Sequence, residues 1–152
     1  MANNFVITDL IAELAPEEGE RYFAYDDASG QAVRKGTTVM GNVTVGIGRN
    51  LSGKGLTDAE ARYLCANDIV EISDTFDKMI PWWRDLSPAR QRAVANMGFN
   101  MGPMELVNGW PHFLGAMRVG NWAGAIAELQ SSHWWGQVGT RAEKIAAQIL
   151  AG

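Results

Sequence analysis

Three polar residues near the start of the chain have the types and the spacing of a hydrolytic site. Eight residues separate Glu18 from Asp27, and Thr44 lies inside the apolar segment Val43–Gly48. Cleavage of a glycosidic bond needs one carboxyl group to protonate the leaving oxygen and a second at the opposite face of the sugar. The two groups need different surroundings, so that one stays protonated and the other ionised. Glu18, beside an aromatic-rich segment, suits the first role, and Asp27, in a polar turn, suits the second.

The same acidic residues have a simpler interpretation. Glu17, Glu18, Glu20, Asp26 and Asp27 are close in sequence and could form nothing more than a solvated acidic surface. Composition alone favours this interpretation, because carboxylates are mostly exposed in folded proteins.

Other kinds of site have little support. The only histidines, His112 and His133, are 21 residues apart, and Cys65 is the only cysteine, which is too few ligands for an ordinary zinc site. Neither histidine has a nucleophile elbow nearby, and Gly46–Gly48 is too short for a dinucleotide fingerprint. We predict packing or surface roles for both histidines, and we expect no metal and no cofactor.

Length and composition indicate a single domain. The chain has 152 residues, of which 47% are apolar, and no apolar run approaches the roughly 18 residues of a membrane span. The net charge of −4 argues against a nucleic-acid partner. The first residues lack the basic region of a signal peptide, so we expect synthesis in a reducing cytoplasm. We also expect a monomer without stable membrane insertion.

The first third of the chain predicts a helix followed by a small sheet. Apolar spacing predicts a helix over 4–14, which Pro16 should end or kink, and this places Glu18 just past the helix. β-Branched residues and glycine turns over 22–49 predict an antiparallel sheet of about three strands, too small to be stable alone.

The rest of the chain predicts helices. Thr57–Glu60 has the pattern of a capping box and should begin a long helix over 58–79. Ser87 should cap a helix that begins at Pro88, and Thr140–Glu143 repeats the capping-box pattern. Further helices are predicted over 104–107, 112–119, 122–131 and 141–151. For all six tryptophans, core packing is the better prediction than sugar stacking.

The predicted fold class is α+β, in one domain with two lobes. A sheet lobe over 15–56 is joined by the helix 58–79 to an all-helical lobe over 81–152, and the helix 4–14 is expected to pack on the helical lobe.

The sequence resembles a known family. Glu18-Gly19, the following Asp27 and the segment Val43–Gly48 are similar to the signature of the phage-type lysozymes, the endolysin muramidases of glycoside hydrolase family twenty-four. Arg92–Gly102 is similar to the central helix of that family's second lobe. Asn121–Trp135 and Thr140–Ala142 are similar to its closing helices, so the resemblance covers nearly the whole chain in order.

The resemblance implies a role for each residue of the triad. Glu18 would be the general acid, Asp27 would be the base or would orient the attacking water, and Thr44 would hold that water. The implied outcome is inversion at the anomeric carbon, for which the two carboxylates stand roughly 6.5–9.5 Å apart.

The sequence departs from the family pattern after Asp27. Sixteen residues separate Asp27 from Thr44, about eleven more than is usual, and we place the extra residues in a longer hairpin with Arg34 and Lys35 near its tip. Thr37 and Thr38 are therefore alternatives to Thr44.

Arg49 stands where relatives often have histidine. We expect it to form an ion pair with Asp68 on the long helix.

Three residues of the helical lobe are candidates for substrate binding. Arg141 could position Glu18, or it could cap its own helix through Glu143. Asn96 and Asn100 lie four residues apart on one helix face and could contact N-acetyl groups, although buried amides are more often structural.

The function that the resemblance implies is that of an endolysin. Its substrate would be the β-1,4 bond between N-acetylmuramic acid and N-acetylglucosamine in the glycan strands of peptidoglycan. The enzyme would wait in the host cytoplasm until a holin-type membrane lesion opens the way to the wall. The alternatives are a lytic transglycosylase, which needs no second carboxylate, and a catalytically silent wall-binding or tail structural protein.

Overall fold

A computed structural model describes residues 6–152, and this range contains eight α-helices and one three-stranded antiparallel sheet. In chain order the elements are α1 (Ile7–Glu18), β1 (Glu20–Asp26), β2 (Val43–Ile47), β3 (Arg49–Asn50), α2 (Asp58–Met79), a 3-10 helix (Pro81–Asp85), α3 (Pro88–Met101), α4 (Pro103–Gly109), α5 (Pro111–Arg118), α6 (Trp122–Ser131), α7 (His133–Val138) and α8 (Thr140–Ala151). The chain forms two compact units, divided between Ala61 and Arg62. The predicted α+β class is confirmed.

The first helix continues through Pro16, so of the two predicted effects of this proline, an end or a kink, the end is wrong. The ring of Pro16 removes one backbone N–H, but the next turn still closes, because the N–H of Gly19 donates to the carbonyl of Ala15 at 3.0 Å. Glu18 is therefore the last residue of α1 rather than a residue beyond it. Residues 4 and 5 of the predicted helix lie outside the described residues.

The sheet has the strand order β1-β2-β3. Tyr25 is opposite Thr44, and Thr44 is opposite Asn50 on β3. The β1–β2 register shifts between Arg21 and Tyr25, which marks a bulge in β1.

The extra residues after Asp27 mostly form a loop, which corrects the prediction that they lengthen the hairpin strands. Only Ala32 adds a bridge, to Tyr25, and the loop reverses where the N–H of Thr37 donates to the carbonyl of Arg34 at 3.0 Å. Arg34 and Lys35 do lie at this turn. Thr37 has no strand partner because its hydroxyl accepts the N–H of Arg34 and closes the turn.

The capping box at the start of α2 is confirmed. Thr57 Oγ1 accepts the N–H of Glu60 at 3.3 Å, and the Glu60 carboxylate accepts the N–H of Thr57 at 2.7 Å. The helix has the predicted bounds, Asp58–Met79. None of the described helices is long and apolar enough to cross a membrane.

The apolar core lies in the second unit. Its fully buried side chains come from α2 to α8 and include Phe76, Val94, Met97, Leu106, Phe113, Met117, Leu129, Ile145 and Ile149. All six tryptophans are in this core or packed against it, as predicted. Between Val6 and Ala61, by contrast, the only buried side chains are polar, those of Asp26 and Thr44.

The second predicted capping box is wrong. Helix α8 begins at Thr140 itself, its N-cap is Gly139, and no side chain caps it. Gly139 has a φ of 52°, a conformation that glycine adopts readily, so the chain enters the helix one residue too early for the Thr140 side chain to act as the cap.

Candidate active site

Glu18 stands at the point where α1 gives way to β1. The side chain is exposed, and within the described part of its own unit its carboxylate accepts no hydrogen bond. It lies against Gly48, where a β-carbon would be 2.8 Å from Oε2 and 3.2 Å from Cδ of Glu18. Gly48 also has a φ of 66° in the β2–β3 turn. Both the close approach and the backbone conformation therefore require glycine at this position.

The Asp27 carboxylate accepts hydrogen bonds from one described residue, Asn42, which directly precedes β2. Its Oδ1 accepts the backbone N–H of Asn42 at 2.7 Å, and its Oδ2 accepts the Asn42 side-chain amide at 3.0 Å. The carboxylate lies over Gly41, where a β-carbon would overlap Oδ1. Asn42 thus fixes the orientation of the carboxylate, and the remaining lone pairs of this exposed group are available to solvent.

Thr44 is buried, with 4% of its surface exposed, in the middle of β2. It pairs with Tyr25 across the β1–β2 ladder, and Asp27 follows directly after the end of β1 at Asp26. The Thr44 hydroxyl donates no hydrogen bond to another described residue. One water-sized partner would therefore satisfy it.

Asp26, adjacent to Asp27, has a different environment. It is 1% exposed, and its carboxylate accepts four hydrogen bonds, from the Ser29 hydroxyl at 2.7 Å and from the N–H groups of Ala28, Met40 and Gly41. The Ser29 hydrogen bond, aided by the three backbone donors and opposed by burial, lowers the pKa of the Asp26 carboxyl below its ordinary value. Asp26 therefore joins the two ends of the inserted loop by hydrogen bonds, to Ala28 and Ser29 at one end and to Met40 and Gly41 at the other.

Arg49 forms its ion pair with Glu60, so the prediction that its partner is Asp68 is wrong. Its NH1 and NH2 groups contact the two Glu60 oxygens at 2.7 and 2.6 Å, and its Nε and NH2 groups also donate to the carbonyl of Gly55. These hydrogen bonds, together with those from Thr57, lower the pKa of Glu60 to about 2. The β3 residue Arg49 is thereby fixed to the first turn of α2.

In the second unit, Arg141 and Asn96 form a pair. Arg141 Nε donates to Asn96 Oδ1 at 2.8 Å, so Arg141 does not cap its own helix through Glu143 as one alternative held. The two side chains line a pocket of about 260 Å³ together with Phe99 and Ile69. The proposed role of Arg141 in positioning Glu18 stays a prediction.

Asn100 has a different partner, although it lies on the same helix. Its Oδ1 accepts the indole N–H of Trp134 at 2.7 Å, and Trp134 is a core residue. The structural interpretation therefore accounts for the oxygen of Asn100, and only its amide nitrogen is available to a ligand.

Both histidines lie at the surface, beside a pocket of the second unit. His112 and His133 are exposed and line a pocket of about 350 Å³ with Trp110, Trp134 and Glu128. Among the described residues, no group of three or more histidine, cysteine or acidic side chains could hold a metal ion. None of the predicted site residues lines this pocket.

The family model for phage lysozymes matches residues 15–147. This range includes Glu18, Asp27 and Thr44 as well as the three candidates of the second unit. The chain belongs to the phage lysozyme family. Membership supports a lysozyme-like function in the breakdown of peptidoglycan.

Among curated proteins, the chain is similar to the pre-baseplate central spike protein Gp5 of Enterobacteria phage T4. The two are 29% identical over 159 residues, which cover 91% of this chain and 27% of the spike protein. The chain thus spans about a quarter of the length of this relative.

Sequence reasoning missed the role of Asp26 beside the candidate site. Asp26 was grouped with the acidic surface, but the succession Asp26-Asp27-Ala28-Ser29 is typical of an Asx turn, and its N–H partner two residues on, Ala28, is the one such a turn uses. Gly48 did carry a signal, because glycines in a strand mark a close approach of the backbone to a ligand or a neighbouring helix, and Gly48 lies against Glu18 at the end of α1.

Proposed function

We propose that this protein is a muramidase that hydrolyses the β-1,4 bond between N-acetylmuramic acid and N-acetylglucosamine in peptidoglycan, with inversion. The observation that carries the proposal is that one small unit contains two carboxylates with different surroundings. Glu18 is exposed and accepts no hydrogen bond within the described part of this unit, whereas Asp27 is oriented by Asn42. Family membership supplies the substrate class.

In this proposal Glu18 is the general acid. Its carboxyl group has no competing hydrogen-bond partner within the described part of its unit, so its proton is free to pass to the glycosidic oxygen. Gly48 lies against the carboxyl group and, because it has no β-carbon, leaves it the space that it occupies. A correctly placed general acid typically contributes about 10²–10⁴-fold to the rate.

Asp27 and Thr44 act on the attacking water. Asn42 occupies one lone-pair direction on each Asp27 oxygen, which leaves the others to accept a proton from water. The hydroxyl of Thr44, which pairs with Tyr25 two residues before Asp27, holds that water by a further hydrogen bond. A water between acid and base requires roughly 6.5–9.5 Å between the carboxyl groups, and inversion therefore predicts a separation in this range for Glu18 and Asp27.

The second unit contributes substrate binding in this proposal. The pocket beside Asn96 combines an apolar floor, including Phe99, with the polar groups of Asn96 and Arg141. This combination suits an N-acetyl group, which has a methyl end and an amide end. Asn100 contributes through its amide nitrogen alone.

The test is mass spectrometry of the fragments released from purified peptidoglycan. Wild-type protein should release fragments with reducing ends, and Glu18→Gln should release about 10³-fold less. Asp27→Asn should depress release to a similar degree. Glu17→Gln is a matched control, because it removes the same charge one residue away, and it should retain activity.

Each outcome is informative. Anhydro-ended fragments would identify a lytic transglycosylase and leave Asp27 without a role. Undiminished release by Glu18→Gln would show that the acid is a different carboxylate, with Glu17 and Glu20 the next candidates. No release by wild type would leave only a wall-binding role.

A second candidate role follows from the similarity to the central spike protein. In this case the same lytic activity would open the wall during entry, as part of a tail, rather than during release. The endolysin role instead predicts accumulation in the host cytoplasm until a holin-type lesion forms. Detection of the protein in purified virions would favour the tail role, and its absence there with abundance in infected cells would favour the endolysin role.

A further inference from the structure

One face of the first unit carries two arginines stacked on aromatic rings. The Arg21 guanidinium lies 4.3 Å from the centre of the Tyr25 ring, and the Arg34 guanidinium lies 5.7 Å from the centre of the Phe23 ring. These four residues are called the arginine–aromatic face below. Phe23 is 71% exposed, and both arginines are exposed.

The inserted loop builds this face. Val33 donates its N–H to the carbonyl of Ala24, and Ala32 bridges to Tyr25, so the loop runs antiparallel to β1 on the side away from β2. This register places Arg34 across from Phe23. Phe23 and Tyr25 are two residues apart on β1, so the two stacked guanidinium groups lie along one short stretch of this strand.

The two guanidinium groups lack an acidic partner. Arg21 donates only to the carbonyl of Gly30, at 2.8 Å, and Arg34 makes no side-chain hydrogen bond to another described residue. Neither arginine forms an ion pair with the carboxylates that the structure describes. Such groups are free to bind carboxylates, for which the planar guanidinium is well shaped.

The face continues into the candidate active site. The Tyr25 ring stacks against the Arg21 guanidinium, and Tyr25 is also the cross-strand partner of Thr44. A polymer bound at Thr44 and Asp27 would therefore pass beside the arginines.

We propose that the arginine–aromatic face binds the carboxylates of the peptides that hang from the peptidoglycan glycan strand. This inference rests on the proposed function. In native peptidoglycan the muramic acid carboxyl group is joined to the peptide by an amide bond, so the free carboxylates of this polymer belong to its peptides. The cationic face would thus distinguish a peptide-bearing strand from a neutral glycan such as chitin.

The first experiment measures binding rather than catalysis. Glu18→Gln protein, with and without Arg34→Gln, is co-sedimented with purified peptidoglycan, either native or with its peptide carboxylates converted to amides. Arg34→Gln should weaken binding to native peptidoglycan about threefold to fivefold, the effect of one exposed ion pair. It should leave binding to amidated peptidoglycan unchanged.

Lys35→Gln is the matched control, because it removes the same charge from the adjacent residue of the turn, and among the described residues Lys35 stacks on no aromatic ring. It should leave binding within about 1.5-fold of the parent, a change below that of an ion pair. High salt should remove the difference between the Arg34 variant and its parent.

The outcomes separate this inference from the proposed function. Equal losses in the Arg34 and Lys35 variants would indicate a net-charge effect and overturn the inference. An Arg34 variant that still prefers native to amidated peptidoglycan as strongly as its parent would also overturn it. Hydrolysis of native strands by wild type is measured in parallel, and its absence would contradict the muramidase proposal whatever the binding data show.

Discussion

Replacement of Gly48 by alanine should damage catalysis far more than it damages the fold. A β-carbon at this position would lie 2.8 Å from Glu18 Oε2 and 3.2 Å from its Cδ, whereas ordinary contacts lie at about 3.5–4.0 Å. The flexible end of the glutamate can yield, so little stability is lost through the contact itself. The carboxyl group must nevertheless move by roughly half an ångström or change rotamer. A displacement of about 1 Å at a reacting group lowers the rate about 10²-fold.

Gly46→Ala provides the matched control. Gly46 has a φ of 64°, nearly that of Gly48, but a β-carbon there would meet nothing within 4 Å. Both variants should therefore lose about 1–2 kcal/mol of stability from the left-handed backbone alone. Only Gly48→Ala should also lose activity, by about 10–100-fold in kcat with KM little changed.

The assay is the initial rate of solubilisation of purified peptidoglycan, with thermal unfolding of both variants measured in parallel. Equal activity of the two variants at equal stability would refute the argument that Gly48 positions Glu18. An equal loss of activity in both would refute it as well, because the loss would then come from the β2–β3 turn and not from the contact.

Two further predictions concern stability. Gly98→Ala should destabilise the protein by about 1–3 kcal/mol in chemical denaturation, because its β-carbon would lie 2.6 Å from the ring of Phe76 in the core. Gly115→Ala is the control and should not destabilise the protein, because a β-carbon there would meet no atom within 4 Å. The pKa values of Glu60 and Asp77 are lowered to about 2, from 4.5 and 3.8, by hydrogen bonds to neighbouring side chains, arginine foremost in each case. A lowered pKa in the folded state contributes stability that is complete above the unfolded value, so the free energy of unfolding should fall as the pH drops from about 5 towards 2. Glu60→Gln combined with Asp77→Asn should flatten this dependence, and an unchanged slope would contradict the assignment.

The order of the elements was predictable from local chemistry. Capping residues fixed the start of α2 at Thr57–Glu60 and of α3 at Ser87, because each cap bonds to a backbone group three residues along the chain. The exception, the helix through Pro16, is also local in origin. A proline removes one hydrogen bond, and whether the helix continues depends on the bonds that the next turn can make.

The candidate site was only partly predictable. The motif places Glu18, Asp27 and Thr44 in the first unit and selects Asp27 rather than Asp26, but it did not predict that Asp26 is buried. Asp26 is buried because both sides of the inserted loop donate hydrogen bonds to its carboxylate, from Ala28 and Ser29 and from Met40 and Gly41.

The sequence by itself determined the α+β class, the starts of α2 and α3, the placement of the tryptophans in the core and the membership of the chain in its family. Only the tertiary structure decided that Arg49 binds Glu60, that Arg141 binds Asn96 across 45 residues and that Gly48 supports Glu18. The physical reason is the range of the interactions. Caps and turns join residues that are close along the chain, whereas these contacts depend on which elements pack together, and many partners of similar chemistry compete for each side chain until packing selects one.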